Sequence, residues 1–260
     1  MNLQSCRLSG DLRPAERGVG TTTRAPAVLL LLTWLMTIAA TPASAQSRTV
    51  VVELFTSQGC AACPPADRIL ESLAQRDDVI ALALHVDYWD YIGWADSFGN
   101  AKFSARQKTY ARRNGRASVY TPQMVIGGVD EVKGSSSLQV MGVLQQHLMN
   151  SFTEKTVDLQ ISRSGDGRLS IEAFAPRGLA YAADVFLIRY RDAETVEIYA
   201  GENNGRSLTY HNIVTSWEML RKWDGSSPLR ETVRVEGEDP VVVLIQEEGQ
   251  GPVVAAARHR

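Results

Sequence analysis

The sequence predicts an α/β chain in which a domain of order β-α-β-α-β-β-α precedes a smaller β-sandwich-like C-terminal domain. Two observations predict this class. Apolar strands alternate with amphipathic helices up to about residue 150, and short alternating strands follow. The composition is that of a globular protein, since 44% of the 260 residues are apolar and 22% are charged. A formal net charge of −2 argues against a nucleic-acid-binding protein that depends on overall basicity.

The first 45 residues have the layout of a secretory signal peptide. Arginines precede an apolar run at 27–40, and Ala43-Ser44-Ala45 follows it as a small-x-small cleavage site. The run is shorter than the roughly 20 residues of a transmembrane helix, although an uncleaved anchor is the alternative. We therefore expect a periplasmic or secreted protein with no stable membrane span. The predicted division is a signal peptide at 1–45, an α/β domain at 46–152 and a β-rich domain at 153–260.

Local patterns define the elements of the first domain. Residues 49–55 and 79–86 are continuous apolar runs typical of buried parallel strands. The helix between them extends to about residue 75, with Pro64 and Pro65 in its first turn, where their missing N–H groups are not needed. The remaining expected elements are an aromatic loop at 87–100, a helix at 101–113, a strand at 123–126, a hairpin turn at 127–128, a strand at 131–133 and a helix that ends near 149.

The second domain contains short strands in which apolar and polar residues alternate. The strand candidates are 157–161, 169–173, 184–190, 195–199, 232–235, 241–246 and 253–257. A helix is expected near residues 216–223. Several short strands in a segment of this length predict a β-sandwich.

The reactive centre is expected at Cys60 and Cys63, the two cysteines that remain after signal cleavage. They lie between a predicted buried strand and a helix, whose N-terminus supplies free N–H donors and about half a positive charge. This environment stabilises a thiolate and lowers the thiol pKa from about 8.5 to about 3.5–7.5. Cys60 is nearer the loop and is expected to be more exposed, so it is assigned as the nucleophile, and Cys63 as the resolving thiol. No bound cofactor is needed, because the Cys60–Cys63 disulfide is the redox group.

Thr121 and Pro122 precede the third strand of the first domain and are expected to position the backbone of a substrate. A cis peptide bond costs little only before proline, and we expect one here. The alternative is a trans proline that starts an edge strand.

Four further residues are candidates for a proton acceptor or for the rim of the site. Glu53 is a carboxylate on a buried strand, and a hydrogen-bonded structural role is its alternative. His85 ends the second strand at the same end of the sheet as the cysteine motif, while Trp89 and Trp94 offer an apolar platform for an extended substrate. No metal site is expected, since no histidine is closely spaced to the cysteines. The basic residues between 102 and 116 are expected to form a solvated helix face.

Four segments resemble those of a known family of secreted thioredoxin-like bacterial proteins, domain-of-unknown-function family 1223. The segments are ELFTSQGCAACPPAD (53–67), HVDYWDYIGW (85–94), VYTPQMVIGG (119–128) and GENNGRSLTYHNIV (201–214). The resemblance covers nearly the whole mature chain and implies a thioredoxin-like fold and export, but no established reaction. Compared with thioredoxin, Gly59 replaces the Trp before the first cysteine and Ala61-Ala62 replaces Gly-Pro, which argues against a general thioredoxin role.

Together these features predict an exported thiol–disulfide oxidoreductase that acts on protein thiols or disulfides. An unidentified redox partner is expected to restore the protein's own redox state. One alternative is a non-catalytic binding module in which the disulfide is structural. So short a disulfide loop adds little stability, which argues against that alternative. The other alternative is a periplasmic metal carrier, for copper, that uses the dithiol.

Overall fold

The computed structural model describes residues 49–151 and 157–260, so the predicted signal peptide and the predicted boundary at residue 152 lie outside the described residues. The first part follows the predicted order β-α-β-α-β-β-α. Its elements are β1 (Val50–Thr56), α1 (Pro64–Ala74), β2 (Val79–His85), a short 3-10 helix (Asp90–Ile92), α2 (Ala101–Arg113), β3 (Gln123–Ile126), β4 (Asp130–Lys133) and α3 (Ser137–Ser151).

The second part is built from strands, one of which is much longer than predicted and another of which was not predicted. Its elements are β5 (Asp158–Arg163), β6 (Arg168–Phe174), β7 (Ala183–Ile198), β8 (Arg206–Trp223), β9 (Leu229–Arg234), β10 (Val241–Glu247) and β11 (Val253–His259). The strands expected at 184–190 and 195–199 are the two halves of β7. The helix expected at 216–223 is wrong, because that segment is the second half of β8. There it pairs with β7, from Arg189 opposite Ser216 to Ala183 opposite Trp223. The pairing of residues far apart in the chain stabilises a strand here more than the local sequence pattern favours a helix.

One large mixed sheet joins the two parts of the chain. Its eight strands run in the order β11-β10-β7-β8-β2-β1-β3-β4, and β5, β6 and β9 form a separate three-stranded sheet. β1 pairs in parallel with β2, and β2 meets β8 in parallel at Ala83 opposite Ile213. Residues 49–151 and 157–260 form one compact unit. The expected domains at 46–152 and 153–260 therefore do not form separate units, because strands from both complete the same sheet.

Successive side chains of β1 point to opposite faces of the sheet, and their contacts show which elements cover each face. Val52 and Leu54 pack with apolar residues of α1 and α3. Val51 and Phe55 face the other way and pack with α2 and with residues of β7, β8 and β10. A third apolar cluster lies between the three-stranded sheet and β7 and β10, as in a sandwich. Within the described residues, no helix is long and apolar enough to cross a membrane.

Candidate functional site

Cys60 and Cys63 form a disulfide between the end of β1 and the start of α1, with their Cα atoms 5.4 Å apart. Cys63 is the N-cap residue of α1, and Pro64 and Pro65 occupy the first two helical positions, as predicted. The carbonyl of Cys63 accepts hydrogen bonds from the backbone N–H groups of Ala66 and Asp67. The sequence therefore correctly placed the motif at a helix N-terminus.

Exposure does not distinguish the two cysteines. Cys60 is 1% exposed and Cys63 is 0% exposed, whereas Ala61 and Ala62 between them are exposed. The expectation that Cys60 would be the more exposed thiol is therefore wrong. The reason is a distant segment that lies against the motif, which no local pattern could show.

That segment is the hairpin tip, residues 199–205 between β7 and β8. The side-chain amide of Asn203, itself fully buried, donates to the carbonyls of Gln58 and Cys60 at 2.8 and 3.0 Å. The Glu202 carboxylate accepts the backbone N–H of Ala61 at 3.0 Å. The tip thus binds the backbone N–H of Ala61 and the carbonyls of Gln58 and Cys60. The Glu202 carboxylate also places a negative charge at an N–H group that would otherwise stabilise a thiolate.

The aromatic loop, residues 87–100, forms the other side of the site. The indole N–H of Trp94 donates to the Gln58 side chain at 2.8 Å, and that of Trp89 donates to the Thr121 hydroxyl at 2.7 Å. A Cβ atom at Gly59 would lie 3.0 Å from Cδ1 of Ile92. A side chain at position 59 would therefore require Ile92 to shift by a few tenths of an ångström. The structure brings both predicted tryptophans to the motif.

Thr121 and Pro122 lie at the same end of the sheet as the cysteine motif, and the peptide bond between them is cis, as predicted. β3 pairs with β1 so that Gln123 is opposite Phe55. Pro122 therefore lies next to Thr56, the last residue of β1 before the cysteine motif.

A polar cluster lies beneath the motif, formed by Thr56, Asp67, His85, Asp96 and Tyr210. His85 is fully buried, and its Nδ1 is 2.8 Å from Oδ2 of Asp96. The Thr56 hydroxyl donates to Oδ1 of Asp67 at 2.8 Å, and the rings of His85 and Tyr210 have centroids 4.8 Å apart. From the sequence, His85 is a candidate by itself and Asp96 only as part of the aromatic loop beside the site. The five residues come from β1, α1, β2, the aromatic loop and β8, so they meet only in the folded chain.

The two acids of the polar cluster have opposite pKa shifts. Burial raises the pKa of Asp67 to about 7, and the nearby His85 and the Thr56 hydroxyl offset only part of that effect. Burial also opposes ionisation of Asp96, but His85 and the backbone N–H groups of Gln58 and Phe98 hold its pKa below the usual range. Asp96 is thus an anion anchored by donors, whereas Asp67 gains and loses a proton near neutral pH.

Glu53 is placed away from this cluster. Its side chain faces α2, where both carboxylate oxygens accept from the Arg106 guanidinium, at 2.6 and 2.8 Å. The Tyr110 hydroxyl donates to Glu53 at 2.7 Å, and the guanidinium lies over the Trp217 ring at 3.9 Å from its centroid. The structure therefore does not bring Glu53 to the disulfide. It also corrects the expected solvated face of α2 at one position, because Arg106 is only 8% exposed, whereas the other basic residues between 102 and 116 are exposed as expected.

An open cleft of about 490 Å³ runs between α1 and β8 and reaches the polar cluster at Asp67 and Tyr210. Among the described residues, no group of three or more His, Cys, Asp or Glu side chains is arranged to hold a metal ion.

Comparisons with known proteins give a family but no activity. The family described as "Protein of unknown function (DUF1223)" matches residues 51–246. The crystal structure of protein AGR_C_4864 from Agrobacterium tumefaciens is 32% identical, with a TM-score of 0.68 over 80% of this chain and 92% of that one. An endonuclease/exonuclease/phosphatase from Beutenbergia cavernae, 16% identical over 40% of this chain and 23% of its own, has a TM-score of 0.21, too low to carry a conclusion. No curated protein matches the chain.

Proposed function

The chain belongs to the DUF1223 family of proteins of unknown function, and we propose that it is an exported thiol–disulfide oxidoreductase with a thioredoxin-like fold. The observation that carries the proposal is the Cys60–Cys63 disulfide, which spans the loop between a buried strand and the helix that Cys63 caps. This position is typical of a redox dithiol, because a helix N-terminus favours the thiolate that attacks a disulfide.

The strand arrangement supports the thioredoxin-like fold. β1 and β2 are parallel and joined by α1, while β3 and β4 are antiparallel neighbours beside β1. Helices α1 and α3 pack on one face of the sheet and α2 on the other. The layout of the first 45 residues supports export to the periplasm or the medium, where a dithiol pair exchanges with other thiols.

In the proposed reaction the reduced protein acts on a disulfide of a client protein. The Cys60 thiolate attacks one client sulfur, a mixed disulfide forms and a client thiolate leaves. Cys63 then attacks Cys60, the Cys60–Cys63 disulfide forms and the second client thiolate leaves. The client gains two electrons and the dithiol loses them, and the reverse sequence oxidises a client. Thr121 and Pro122, beside the end of β1, would hold the client backbone.

Burial of both cysteines favours a second candidate function, that of a binding module in which the disulfide is structural. Neither cysteine is more than 1% exposed, and Asn203 ties the motif to the hairpin tip. A structural disulfide has a reduction potential below about −300 mV and resists the glutathione pool, whereas a catalytic one has a higher potential.

Redox equilibration separates the two candidates. We expect the Cys60–Cys63 pair to equilibrate with glutathione at a potential above about −300 mV. In cells, we expect Cys63→Ala to accumulate mixed disulfides with clients on non-reducing gels, because only Cys63 releases a client bound to Cys60. Cys60→Ala is the matched control, and it should give no such bands. A wild-type pair that stays oxidised in glutathione, with no bands from either variant, would establish the structural disulfide instead.

A further inference from the structure

Three buried polar atoms in the polar cluster have no hydrogen-bond partner within the described part of the chain. They are Oδ2 of Asp67, Nε2 of His85 and the hydroxyl of Tyr210. Buried polar groups are almost always paired, and unpaired ones concentrate where chemistry requires a group to change its protonation or partner. Three of them in one cluster next to a disulfide therefore call for a functional account.

Two members of the polar cluster, Thr56 and Asp67, lie four residues from the disulfide along the chain, and of these Asp67 is the titratable one. It follows Cys63 by four residues on α1, and residues with this spacing share a helix face with Cβ atoms about 5–6 Å apart. The Thr56 hydroxyl holds Oδ1 at the end of β1, where the cysteine motif begins. The carboxylate is thus fixed on the Cys63 side of the motif, and Oδ2 is left without a partner.

We propose that Asp67 is the proton acceptor for the Cys63 thiol when Cys63 resolves a mixed disulfide, an inference that rests on the proposed oxidoreductase function. In this step the Cys63 S–H proton moves to Oδ2 of Asp67, and the sulfur attacks Sγ of Cys60. The Cys60–Cys63 bond forms, the bond from Cys60 to the client breaks, and the client leaves as a thiolate. Two electrons pass from the dithiol to the client, and Asp67 returns its proton to water in the cleft.

The surroundings of the other acids favour Asp67 for this role. Both oxygens of Glu53 are bound by Arg106, and the low pKa of Asp96 keeps it ionised and paired with His85. Asp67 has a pKa raised to about 7, so it is largely available as a base from neutral pH upward and can still hold a proton. Glu202 is exposed and is engaged by the backbone N–H of Ala61. Within α1, Asp67 is the one carboxylate that lies within a helical turn of Cys63.

Several charged or titratable groups face Asp67 and enter the pH dependence. They are Arg68 and Glu71 on α1, His85 on β2, Asp96 in the aromatic loop, and Tyr210 and His211 on β8, where His211 lies 3.4 Å from Glu71. The resolving step is expected to accelerate with pH through the pKa of Asp67, because only the ionised carboxylate accepts the proton.

Two-phase kinetics with an aromatic disulfide test the role of Asp67. Reduced protein is mixed with dithionitrobenzoate, and release of the coloured thiol is followed from pH 5 to pH 9. The first release reports attack by Cys60 and the second reports resolution by Cys63. Asp67→Asn should slow the second phase at pH 7 by about 10- to 100-fold and abolish its rise near pH 7, while the first phase is unchanged. Asp78→Asn, which removes an exposed carboxylate paired with Arg76, is the matched control and should change neither phase.

A second variant covers the case in which Asp67→Asn does not fold. Thr56→Val removes the hydroxyl that lowers the pKa of Asp67, so the midpoint of the second phase should move to higher pH while the first phase keeps its profile. An unchanged second phase in folded Asp67→Asn, or an unchanged midpoint in Thr56→Val, would refute the role of Asp67 alone. If the wild-type protein releases no coloured thiol in a second phase, the proposed oxidoreductase function itself fails.

Discussion

Glu53 and Asp67 are two carboxylates whose surroundings give them opposite properties. Glu53 is fully buried with both oxygens engaged by Arg106, and Arg106 also donates to Gln246. Asp67 has one oxygen on Thr56 and one without a partner among the described residues. A carboxylate whose two oxygens are both bound by a charged donor holds elements together, whereas one that is desolvated and has an oxygen without a partner can change its protonation near neutral pH. Glu53 is accordingly structural, and Asp67 is suited to chemistry.

Loss of the Glu53–Arg106 pair is expected to destabilise the protein. Arg106→Ala should lower the free energy of unfolding by about 3–5 kcal/mol, because it leaves the Glu53 carboxylate buried without its charged partner. Urea denaturation of the oxidised protein measures the loss. Lys102→Ala, which removes an exposed cation from the first turn of the same helix, should change the stability by less than about 0.5 kcal/mol. A loss below about 1 kcal/mol for Arg106→Ala would contradict the structural role.

Structural features that depend on local sequence could be predicted, and those that depend on distant partners could not. Cys60, Cys63 and the cis bond before Pro122 follow from a motif and from the chemistry of proline. Asp67 carries no such signal, because its raised pKa arises from burial beside β2, the aromatic loop and β8. For the same reason Glu53 was assigned to the site, since the sequence does not show which face of β1 meets α2.

At the scale of elements, the β7–β8 hairpin connects the second half of the chain to the disulfide. Its tip inserts fully buried Asn203 between the carbonyls of Gln58 and Cys60, and Gly201 approaches Ile92 and Trp94 closely, as a Cβ there would lie 3.2 and 3.3 Å from them. Gly201 has a φ of +72°, a left-handed conformation that glycine adopts without strain. The sequence predicted two short strands and a helix here, because the pairing of β7 with β8 depends on contacts between residues far apart in the chain.

The contacts of the hairpin tip predict how fast the disulfide reacts. Asn203→Ala leaves two buried carbonyls without their donor, which costs about 1–3 kcal/mol and favours states in which the tip has left the motif. Reduction of the Cys60–Cys63 disulfide by dithiothreitol should therefore accelerate by roughly 5- to 150-fold, with the far-ultraviolet spectrum unchanged. The rate is measured by quenching and alkylation.

Asn204→Ala is the matched control for that prediction. Asn204 is the exposed neighbour of Asn203 in the same tip, and its backbone N–H bonds within the tip, to Gly201. This variant should be reduced at the wild-type rate. Equal rates for both variants would show that Asn203 does not limit access to the sulfurs.

At the scale of the whole molecule, the two parts of the chain share a hydrophobic core. Phe55, Phe103 and Tyr110 from the first part pack in one cluster with Tyr190 and Leu244 from the second. β2 has β1 on one side and β8 on the other. Local periodicity predicted nearly every element of the first part. It predicted a boundary at residue 152 because the pattern changes there, but a change of pattern does not show whether the new strands join an existing sheet.

The shared core predicts that residues 46–152 do not fold alone. Without β8, strand β2 becomes an open edge, and the apolar residues on the α2 face of the sheet lose the cover of β7, β8 and β10. The isolated segment should aggregate or lack a cooperative thermal transition by circular dichroism. As the matched control, a protease site is placed at 152–156 in the chain 46–260, and the two pieces should stay together after cleavage at that site. They should elute together in size-exclusion chromatography, because the β2–β8 contact and the shared cluster remain intact. Two independent domains would be established instead by a 46–152 fragment that folds and melts cooperatively, or by pieces that elute apart after cleavage. The contacts of the hairpin tip with the disulfide would then be contacts between those domains.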